Sequence, residues 1–394
     1  MQRVVIAVFA PLGIIGTLAL RVVNLFRPIQ LGGINAGRLG HLVFDVEMFL
    51  AEREIGAPGY RKEVVDLRYV WTAGLPISNQ LILELWRPLF TLGPRWILQP
   101  IDMWNHRIPG GTKTQVPWRK APNQLNQHND LHGALSRTAP HLPITNDHFD
   151  SARRVLADIR PGFDIRRPYV CIHVRDDGYF KVHQPQNRDD ETRNANIVDY
   201  ESAISFLVSK GIQVVRMGTV VQNSLALRHD YIWDYAFDGS RSELLDLVLP
   251  ARCMFFISTL SGPDKIAQLF RRPVLFTNLA PLKSISLWMT DSLITPKRLR
   301  NNEGQFLAWS TVFSTDTFTL NQTQLAKRGV RLISNSSQEI RMSVEEMLAR
   351  LNHDYSTSTN TDQNWQQLLN SIPSHLKAGG VRARLSAASL SDPT

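Results

Sequence analysis

Short apolar runs alternate with amphipathic helical segments throughout the second half of the sequence. The apolar runs read PYVCIHV, IQVVRMG, CMFFIST and RPVLFTN, and the segments between them read IVDYESAISFLVSKG, SELLDLVLPA and PDKIAQLF. A strand that is apolar on both faces has to be covered on both faces, which is typical of a parallel sheet with helices packed on each side. The sequence therefore predicts an α/β fold.

The first half carries a similar rhythm. Ile29–Leu31 is predicted as a strand, followed by a glycine-rich loop and a helix through GRLGHLVFDVEMFLAE. EVVDLRYV is predicted as a second strand, and RWILQPIDMW as a further strand and turn. Strands that alternate with helices again indicate a parallel sheet, so we expect two Rossmann-like domains.

The length of 394 residues is sufficient for two domains with a full core each. A stretch rich in Pro, Asn, His and Thr, residues 109–148, is predicted as the connection between them. We therefore predict four parts: a hydrophobic N-terminal segment at 1–27, an N-terminal domain at 28–150, a C-terminal domain at 151–352 and a polar tail at 353–394.

The N-terminal segment raises the question of membrane contact. Val4 to Leu20 contains no charged residue, with Arg3 before it and Arg21 and Arg27 after it. The run contains Pro11 and falls short of the roughly 20 apolar residues that a spanning helix needs. Two interpretations remain: a helix buried in the core, or a helix on a membrane surface whose arginines meet lipid phosphates.

Charge and cysteine content narrow the classes of partner and site. The net charge of +9 favours anionic partners such as phosphorylated ligands or anionic lipid. The basic residues are scattered and are not interleaved with aromatic residues, so nucleic acid is not expected. Cys171 and Cys253 alone cannot form a disulfide framework or a four-thiolate zinc site. Since the sequence contains no metal-binding motif, we expect no metal site.

Polar and glycine residues follow the predicted strands of the second half. His173, Arg175 and Asp177 end the first of these strands, and Arg216 and Gly218 end the second. Ligands bind beyond the carboxyl ends of the strands in open parallel sheets. Arg175 is the leading candidate because a guanidinium forms paired hydrogen bonds with phosphate. The alternative is that Arg175 makes a structural ion pair with a neighbouring aspartate.

A turn of small residues follows the third strand of this half. Ser258, Thr259, Ser261 and Gly262 precede a predicted helix, where backbone N–H groups and hydroxyl groups could bind phosphate oxygens. The alternative is an ordinary turn with a helix cap. We expect phosphate binding here because Arg175 and Arg216 are predicted at the same edge of the sheet.

Further candidates lie in the loops of the second half. Arg193 and Asn194 precede a helix, and they either contact the same anion or serve as a cap and a solvated cation. Asp234, Tyr235 and Glu243 lie at loop and first-turn positions, where they could bind the base or ribose of a nucleotide.

The glycine-rich stretch of the first half supplies candidates for a second substrate. Gly37 and Gly40 permit close approach of the backbone to a ligand. Arg38 and His41 lie at the start of the predicted helix, and His41 is a candidate general base. The alternative is a tight turn capped by the histidine.

Several ordered stretches resemble a family of bacterial glycosyltransferases. They are CIHVRDDGY, RNANIVDYESAISFLVSKGIQVVRMG and WDYAFDGSRSELLDLVLPARCMFFISTLSGPDKIAQLFRRPVLFTN, with GRLGHLVFDVEMFLAE and ITPKRLRNNEGQFLAW outside them. The resemblance covers most of residues 28 to 310. It implies a GT-B fold, in which two Rossmann-like domains face each other across a cleft. The C-terminal domain would bind a nucleotide-sugar without a metal ion, and the N-terminal domain would face the acceptor.

The HVRDD stretch is also similar, more distantly, to the H-x-R motif of fucosyltransferases that use GDP-fucose. In that family the arginine contacts the donor diphosphate, a role that carries over to Arg175. The family often has a second arginine next, where this chain has Asp176. This departure leaves the donor sugar open.

The predicted function is transfer of a sugar from a nucleotide-sugar to a cell-surface glycan or a lipid-linked precursor. His41, Arg175 and Asp177 are the predicted catalytic residues, and no cofactor is expected. The predicted location is cytoplasmic, on the inner face of the cell membrane if the N-terminal helix binds lipid. The alternative function is a non-catalytic protein that binds nucleotide or glycan at the membrane surface.

Overall fold

The computed structural model describes residues 10–117, 130–183 and 192–390, and these form two compact units. The first unit contains the described residues up to 117 together with 137–144. The second contains 130–136 and the described residues from 145 onward. Each unit contains a parallel sheet, so the predicted α/β class is confirmed.

The first unit is built on a three-stranded parallel sheet with strand order β1-β2-β3. The strands are β1 (Ile29–Asn35), β2 (Val65–Trp71) and β3 (Thr91–Leu92). The helices are α1 (Ala10–Phe26), α2 (Val46–Glu54), α3 (Gln80–Trp86) and α4 (Arg95–Arg107), and a π-helical turn, His41–Asp45, leads into α2.

The first strand is longer than the sequence predicted. β1 continues to Asn35, so Gly32 and Gly33 lie inside the strand and not in a loop. A Cβ atom at Gly32 would lie 2.5 Å from a methyl group of Val116, and one at Gly33 would lie 2.7 Å from the Trp71 ring. These two glycines therefore make room for neighbouring side chains of the same unit.

Helix α1 packs on helix α4 through small residues. A Cβ atom at Gly13 would lie 2.1 Å from the Trp104 ring. The Thr17 hydroxyl donates to the Gly13 carbonyl at 2.7 Å and also lies 3.1 Å from the Ile101 carbonyl. The expected strand at RWILQPIDMW is wrong, because this segment is the helix α4 with Pro100 inside it. No helix within the described residues is both long and apolar enough to cross a bilayer.

The second unit is built on a seven-stranded sheet in which every pair of neighbouring strands is parallel. Its order is β12-β9-β8-β7-β4-β5-β6. The strands are β4 (Tyr169–His173), β5 (Gln213–Arg216), β6 (Ile232–Trp233), β7 (Phe256–Ser258), β8 (Val274–Leu279), β9 (Leu293–Pro296) and β12 (Arg384–Leu385). A separate antiparallel pair is formed by β10 (Arg298–Arg300) and β11 (Arg331–Ile333).

Helices surround this sheet along the chain. They are α5 (Asn146–Ile159), α6 (Gly178–His183), α7 (Glu201–Ser209), α8 (Glu243–Arg252), α9 (Asp264–Leu269), α10 (Trp309–Ser314), α11 (Gln322–Lys327), α12 (Ser337–Leu351), α13 (Thr359–Ser371), α14 (Ser374–Lys377) and α15 (Ala387–Leu390). The core joins β4, β5 and β7 to α7 and α12 through Ile172, Val214, Ile257, Ile204 and Val344. The Ser242 hydroxyl caps α8, as predicted, by accepting from the Leu245 N–H.

The expected polar tail from residue 353 is corrected by the structure. Helix α13 buries Trp365 and Leu368, and β12 extends the parallel sheet beside β9. The spacing of these apolar residues along α13 gives the segment a buried face, although its composition is mostly polar. The segment is therefore part of the second unit up to residue 390, and residues 391–394 lie outside the described part.

Candidate functional site

The carboxyl ends of three neighbouring strands meet at one edge of the second unit's sheet. β4 lies between β5 and β7, and His173 is paired in register with Ser258. Just beyond the strand, the Arg175 N–H donates to the Thr259 hydroxyl at 3.0 Å, and its carbonyl accepts from the Ala195 N–H at 3.0 Å. Arg175 is only 8% exposed. The backbone on both sides of this buried cation is therefore fixed.

His173 lies next to these cations, and its protonation reflects them. Burial lowers the pKa of His173 to about 3, and the positive charges of Arg216 and Arg175 lower it further. The ring is therefore neutral at physiological pH. Its Nδ1 atom is buried and has no hydrogen-bond partner among the described residues. A buried polar atom of this kind is suited to a hydrogen bond with a ligand.

Arg216 and Asp234 hold the loops after β5 and β6. The Arg216 guanidinium donates to the Asn223 carbonyl at 2.6 Å and lies 3.4 Å from the Asp234 carboxylate. Asp234 also accepts from the Leu225 N–H at 2.7 Å. Burial lowers the pKa of Arg216, and the Asp234 charge opposes that effect. The predicted direct contact of Asp234 with a nucleotide is replaced by this ion pair within the chain.

The two aspartates that follow Arg175 have different partners. Asp176 accepts from the N–H groups of Gly178 and Gln222, at 2.8 Å each, and so joins two loops. The Asp177 carboxylate accepts from the side-chain amide of Asn194. Neither carboxylate is printed as an ion-pair partner of Arg175, so the predicted alternative of a structural pair with Arg175 gains no support among the described contacts.

A lysine that the sequence analysis missed belongs to this site. Lys297 follows β9 directly, and its Nζ donates to the Asn194 carbonyl at 2.7 Å. It is 5% exposed, and burial lowers its pKa to about 8. The signal in the sequence was its position after the apolar run SLIT, but that run was not recognised as a strand.

The turn after β7 differs from the expected anion site. The Ser258 hydroxyl and the Ser261 N–H both donate to the Asp264 carboxylate, at 2.5 Å and 2.7 Å. Ser258 and Thr259 are fully buried. The position predicted for a phosphate at this helix start is therefore occupied by the chain's own carboxylate, and Ser258 and Thr259 support the backbone. Ser261 and Gly262 remain half-buried at the rim of the turn.

Arg193 is attached to the same turn. Its guanidinium donates to the Leu260 carbonyl at 3.3 Å, and Leu260 has a positive φ of 66°. This contact brings Arg193 to the loop that carries Thr259, whose hydroxyl binds the Arg175 backbone. The structure thus brings together Arg193 and Arg175, as the sequence predicted.

Three other predicted donor contacts have local structural roles. The Tyr235 hydroxyl accepts from the Ser242 N–H at 2.8 Å and lies 3.1 Å from the Asp246 carboxylate, so it is occupied at the start of α8. Glu243 is the exposed first residue of α8. Gly218 has φ of 156°, and a side chain there would crowd Val221 and Ala236. Burial makes a base contact by Tyr235 untenable.

The first unit contains a pocket of about 310 Å³ next to the predicted general base. It is lined by Gly33, Ile34, Asn35, His41, Asp45, Val46, Phe49, Arg68 and Phe90. His41 Nδ1 lies 2.9 Å from the Asp45 carboxylate, whose other oxygen is buried without a partner among the described residues. The π-helical turn places both residues on one side, and such turns are frequent at functional sites.

The three neighbours predicted on the acceptor side are placed as follows. A Cβ atom at Gly37 would lie 2.3 Å from the Thr72 carbonyl oxygen, so this glycine permits close approach of the chain to itself. Arg38 is exposed, and Gly40 directly precedes the π-helical turn. Only His41 of these four residues lines the pocket.

Within the described residues, no group of three or more His, Cys, Asp or Glu side chains is arranged to hold a metal ion. Cys171 and Cys253 are both buried thiols. Burial raises the pKa of Cys171 well above its ordinary value, so this thiol stays protonated.

Comparison with known proteins gives matches in structure but not in sequence. No protein-family model matches the chain, and no curated protein sequence matches it. Solved structures similar to it include a glycosyl transferase family 9 protein from Veillonella parvula, with 9% identity, a TM-score of 0.48, and coverage of 82% of this chain and 97% of that one. Another is TibC, an iron-containing dodecameric glycosyltransferase from enterotoxigenic Escherichia coli, with 14% identity, a TM-score of 0.39, and coverage of 84% and 77%.

Proposed function

We propose that this protein is a glycosyltransferase that moves a sugar from a nucleotide-sugar donor to a glycan or a lipid-linked acceptor. The observation that carries the proposal is the set of buried cations at the carboxyl edge of the second unit's sheet. Arg175, Arg216 and Lys297 are each less than a tenth exposed. Burying several cations together is costly unless they have a counter-ion, and a diphosphate would supply it.

The chemistry of the donor explains why cations are needed. When the acceptor oxygen bonds to the anomeric carbon, the bond from that carbon to the diphosphate oxygen breaks. The nucleoside diphosphate then leaves with the electron pair and gains negative charge. Arg175 and Lys297 are suited to stabilising that charge, and neutral His173 to donating or accepting a hydrogen bond beside it. In this proposal the side chains perform the neutralisation that a metal ion performs elsewhere.

The acceptor is assigned to the pocket of the first unit. There the Asp45 carboxylate fixes the orientation of the His41 ring through Nδ1. The other ring nitrogen, Nε2, would take the proton of the acceptor hydroxyl as that oxygen attacks. A carboxylate that orients a histidine in this way also stabilises the charged ring that results. Asp177 is the weaker candidate for the base because it already binds Asn194.

The nucleotide and the sugar are to be found by experiment. The sequence His173-Val174-Arg175 resembles the H-x-R motif of fucosyltransferases, so GDP-linked sugars are the first donors to test. Since Tyr235 and Asp234 are engaged within the chain, recognition of the base is expected to use other groups of these loops.

A second candidate function is binding of a nucleotide or glycan without catalysis. Asp176, Asp177 and Asp234 all bind groups of the chain itself, which would suit a site that needs no carboxylate base. The two functions differ in turnover. Purified protein incubated with GDP-, UDP-, ADP- and CMP-sugars should slowly release nucleotide from one of them if it is a transferase.

The decisive control is the variant Arg175→Lys, which keeps the charge but not the planar pair of donors. A transferase should lose most of its nucleotide release in this variant. Nucleotide binding without release from any donor, in wild type as in variant, would favour the binding protein and overturn the proposed activity.

A further inference from the structure

One face of helix α1 consists of large apolar side chains that are exposed. Ile15, Leu18, Val22, Leu25 and Phe26 form this apolar face, and their exposed fractions run from 53% to 85%. Their spacing of three or four residues places them along one side of the helix. A surface helix of a globular protein normally carries polar residues on that side. A contiguous exposed patch of this kind marks a surface that contacts another apolar phase.

The opposite face of α1 is firmly attached to the first unit. Gly13 and Thr17 lie against α4, and Leu20 belongs to the apolar core with Leu31. The Arg21 guanidinium donates to the carbonyls of Ile108 and Pro109 at 2.6 Å and 2.7 Å. These contacts fix the rotation of the helix, so the apolar face cannot turn into the core.

The charge around the helix indicates the nature of the contacting surface. Residues 1–44 contain four arginines, at positions 3, 21, 27 and 38, and no aspartate or glutamate. Arg27 directly follows the helix and is exposed. The sequence before the helix is also uncharged from Val4 onward. An apolar strip in an acid-free, basic surrounding complements the surface of an anionic bilayer.

A second copy of the chain is a poorer match. A twofold contact through the apolar face would bring the same basic surroundings together from both copies. Like charges that face each other oppose association, whereas lipid phosphates would neutralise them.

We propose that the apolar face of α1 lies in the surface of an anionic membrane, with the helix parallel to the bilayer plane. A helix of this type buries its apolar side by about 5–10 Å at the boundary of headgroups and acyl chains. The apolar face meets the acyl chains, and Arg27 meets lipid phosphate. This surface is separate from the sheet edge that we assign to the donor, and it does not depend on glycosyl transfer.

The test measures binding of the full-length protein to vesicles in the absence of any nucleotide-sugar. Wild-type protein should sediment with vesicles of phosphatidylcholine and phosphatidylglycerol and bind much less to phosphatidylcholine alone. The double variant Leu18→Glu, Leu25→Glu should bind the anionic vesicles at least about tenfold more weakly, since two apolar anchors become acidic. Met342→Glu, at a 45% exposed apolar position of α12, is the matched control and should bind as wild type.

Thermal melting followed by circular dichroism should give similar midpoints for all three proteins, because the altered side chains are exposed. If the double variant melts early, Ile15→Ser with Val22→Ser replaces it, because this pair removes apolar area without adding charge. Failure of wild type to bind anionic vesicles, or equal binding by the variants, would overturn the proposal. So would a lipid-free dimer in analytical ultracentrifugation that the variants abolish, since the face would then belong to a second copy.

Discussion

At the scale of single residues, the account depends on polar groups buried at the end of a parallel sheet. Arg175 and Thr259 are joined through the backbone, and Lys297 reaches the same loops through Asn194. Burial alone does not favour charged groups at such positions, because it lowers the pKa of Lys297 to about 8. The cost of holding this charge in the fold is what binding of an anion would offset.

Lys297 gives a prediction about stability and pH. Its pKa in the fold is about 8, below its ordinary value of 10.5, so between these values the unfolded chain binds more protons than the folded one. The destabilisation is therefore complete below pH 8, at roughly 3 kcal/mol, and fades as the pH rises to 10.5. Lys297→Met should be the more stable protein at pH 7, and its advantage in urea unfolding should shrink between pH 8 and 10.

Lys327→Met is the control for this comparison, because Lys327 is an exposed lysine of α11. Its difference from wild type should stay small and constant over the same range. An advantage of Lys297→Met that grows with pH would mean that the fold does not disfavour the charged form.

The His41–Asp45 pair gives a second prediction at this scale. Asp45→Asn removes the charge that orients and stabilises the ring while keeping its shape. Turnover of the donor identified in the nucleotide-sugar panel should fall by about 10²-fold or more, with little change in donor KM. Asp316→Asn, at an exposed position of the second unit, should leave turnover unchanged. Unaltered turnover in Asp45→Asn would remove His41 from the role of base.

At the scale of elements, the strands around the donor site were predictable and the others were not. The apolar runs that contain β4, β5, β7 and β8 stand between clear helical segments. β9 has four residues and lacks such a frame, and Lys297 was missed together with it. Pro100 masked helix α4, because proline inside a helical pattern normally ends it.

The seam between α1 and α4 gives a prediction at this scale. Gly13→Ala would place a methyl group 2.1 Å from the Trp104 ring and 2.9 Å from the Pro100 carbonyl. The free energy of unfolding should fall by about 1–3 kcal/mol, although alanine is the better helix former. Ala19→Leu, on the exposed side of α1, should change it by less than about 0.5 kcal/mol. Stabilisation by Gly13→Ala in urea unfolding would show that α1 does not pack on α4.

At the scale of the whole molecule, two parallel-sheet units follow from the alternation of strands and helices in the sequence. The location of the candidate site at the carboxyl edge also follows, since that rule depends on topology alone. What did not follow was which polar groups the fold would use for itself. Asp264 fills the turn expected to hold phosphate, and Tyr235 is occupied at the start of α8. Such partners come from long-range contacts that spacing does not reveal.

The C-terminal segment shows the same limit of composition. Its polar residues suggested a tail, but Trp365 is buried and β12 completes the sheet of the second unit. Trp365→Ala should lower the free energy of unfolding by about 3–5 kcal/mol. Gln366→Ala, at the exposed neighbouring position, should lower it by less than about 0.5 kcal/mol. Equal stability of the two variants in urea unfolding would mean that the segment does not pack on the unit.

The central claim is that the sheet edge around Arg175 binds the diphosphate of a nucleotide, and calorimetric titration tests it most directly. Wild-type protein should bind one of GDP, UDP, ADP or CMP in preference to the others. Arg175→Ala should weaken that binding by more than about 100-fold, since a paired, charge-assisted contact is lost. Arg166→Ala, which alters an exposed arginine of the same unit, should bind as wild type. Equal affinity of wild type and Arg175→Ala for the preferred nucleotide would contradict the claim.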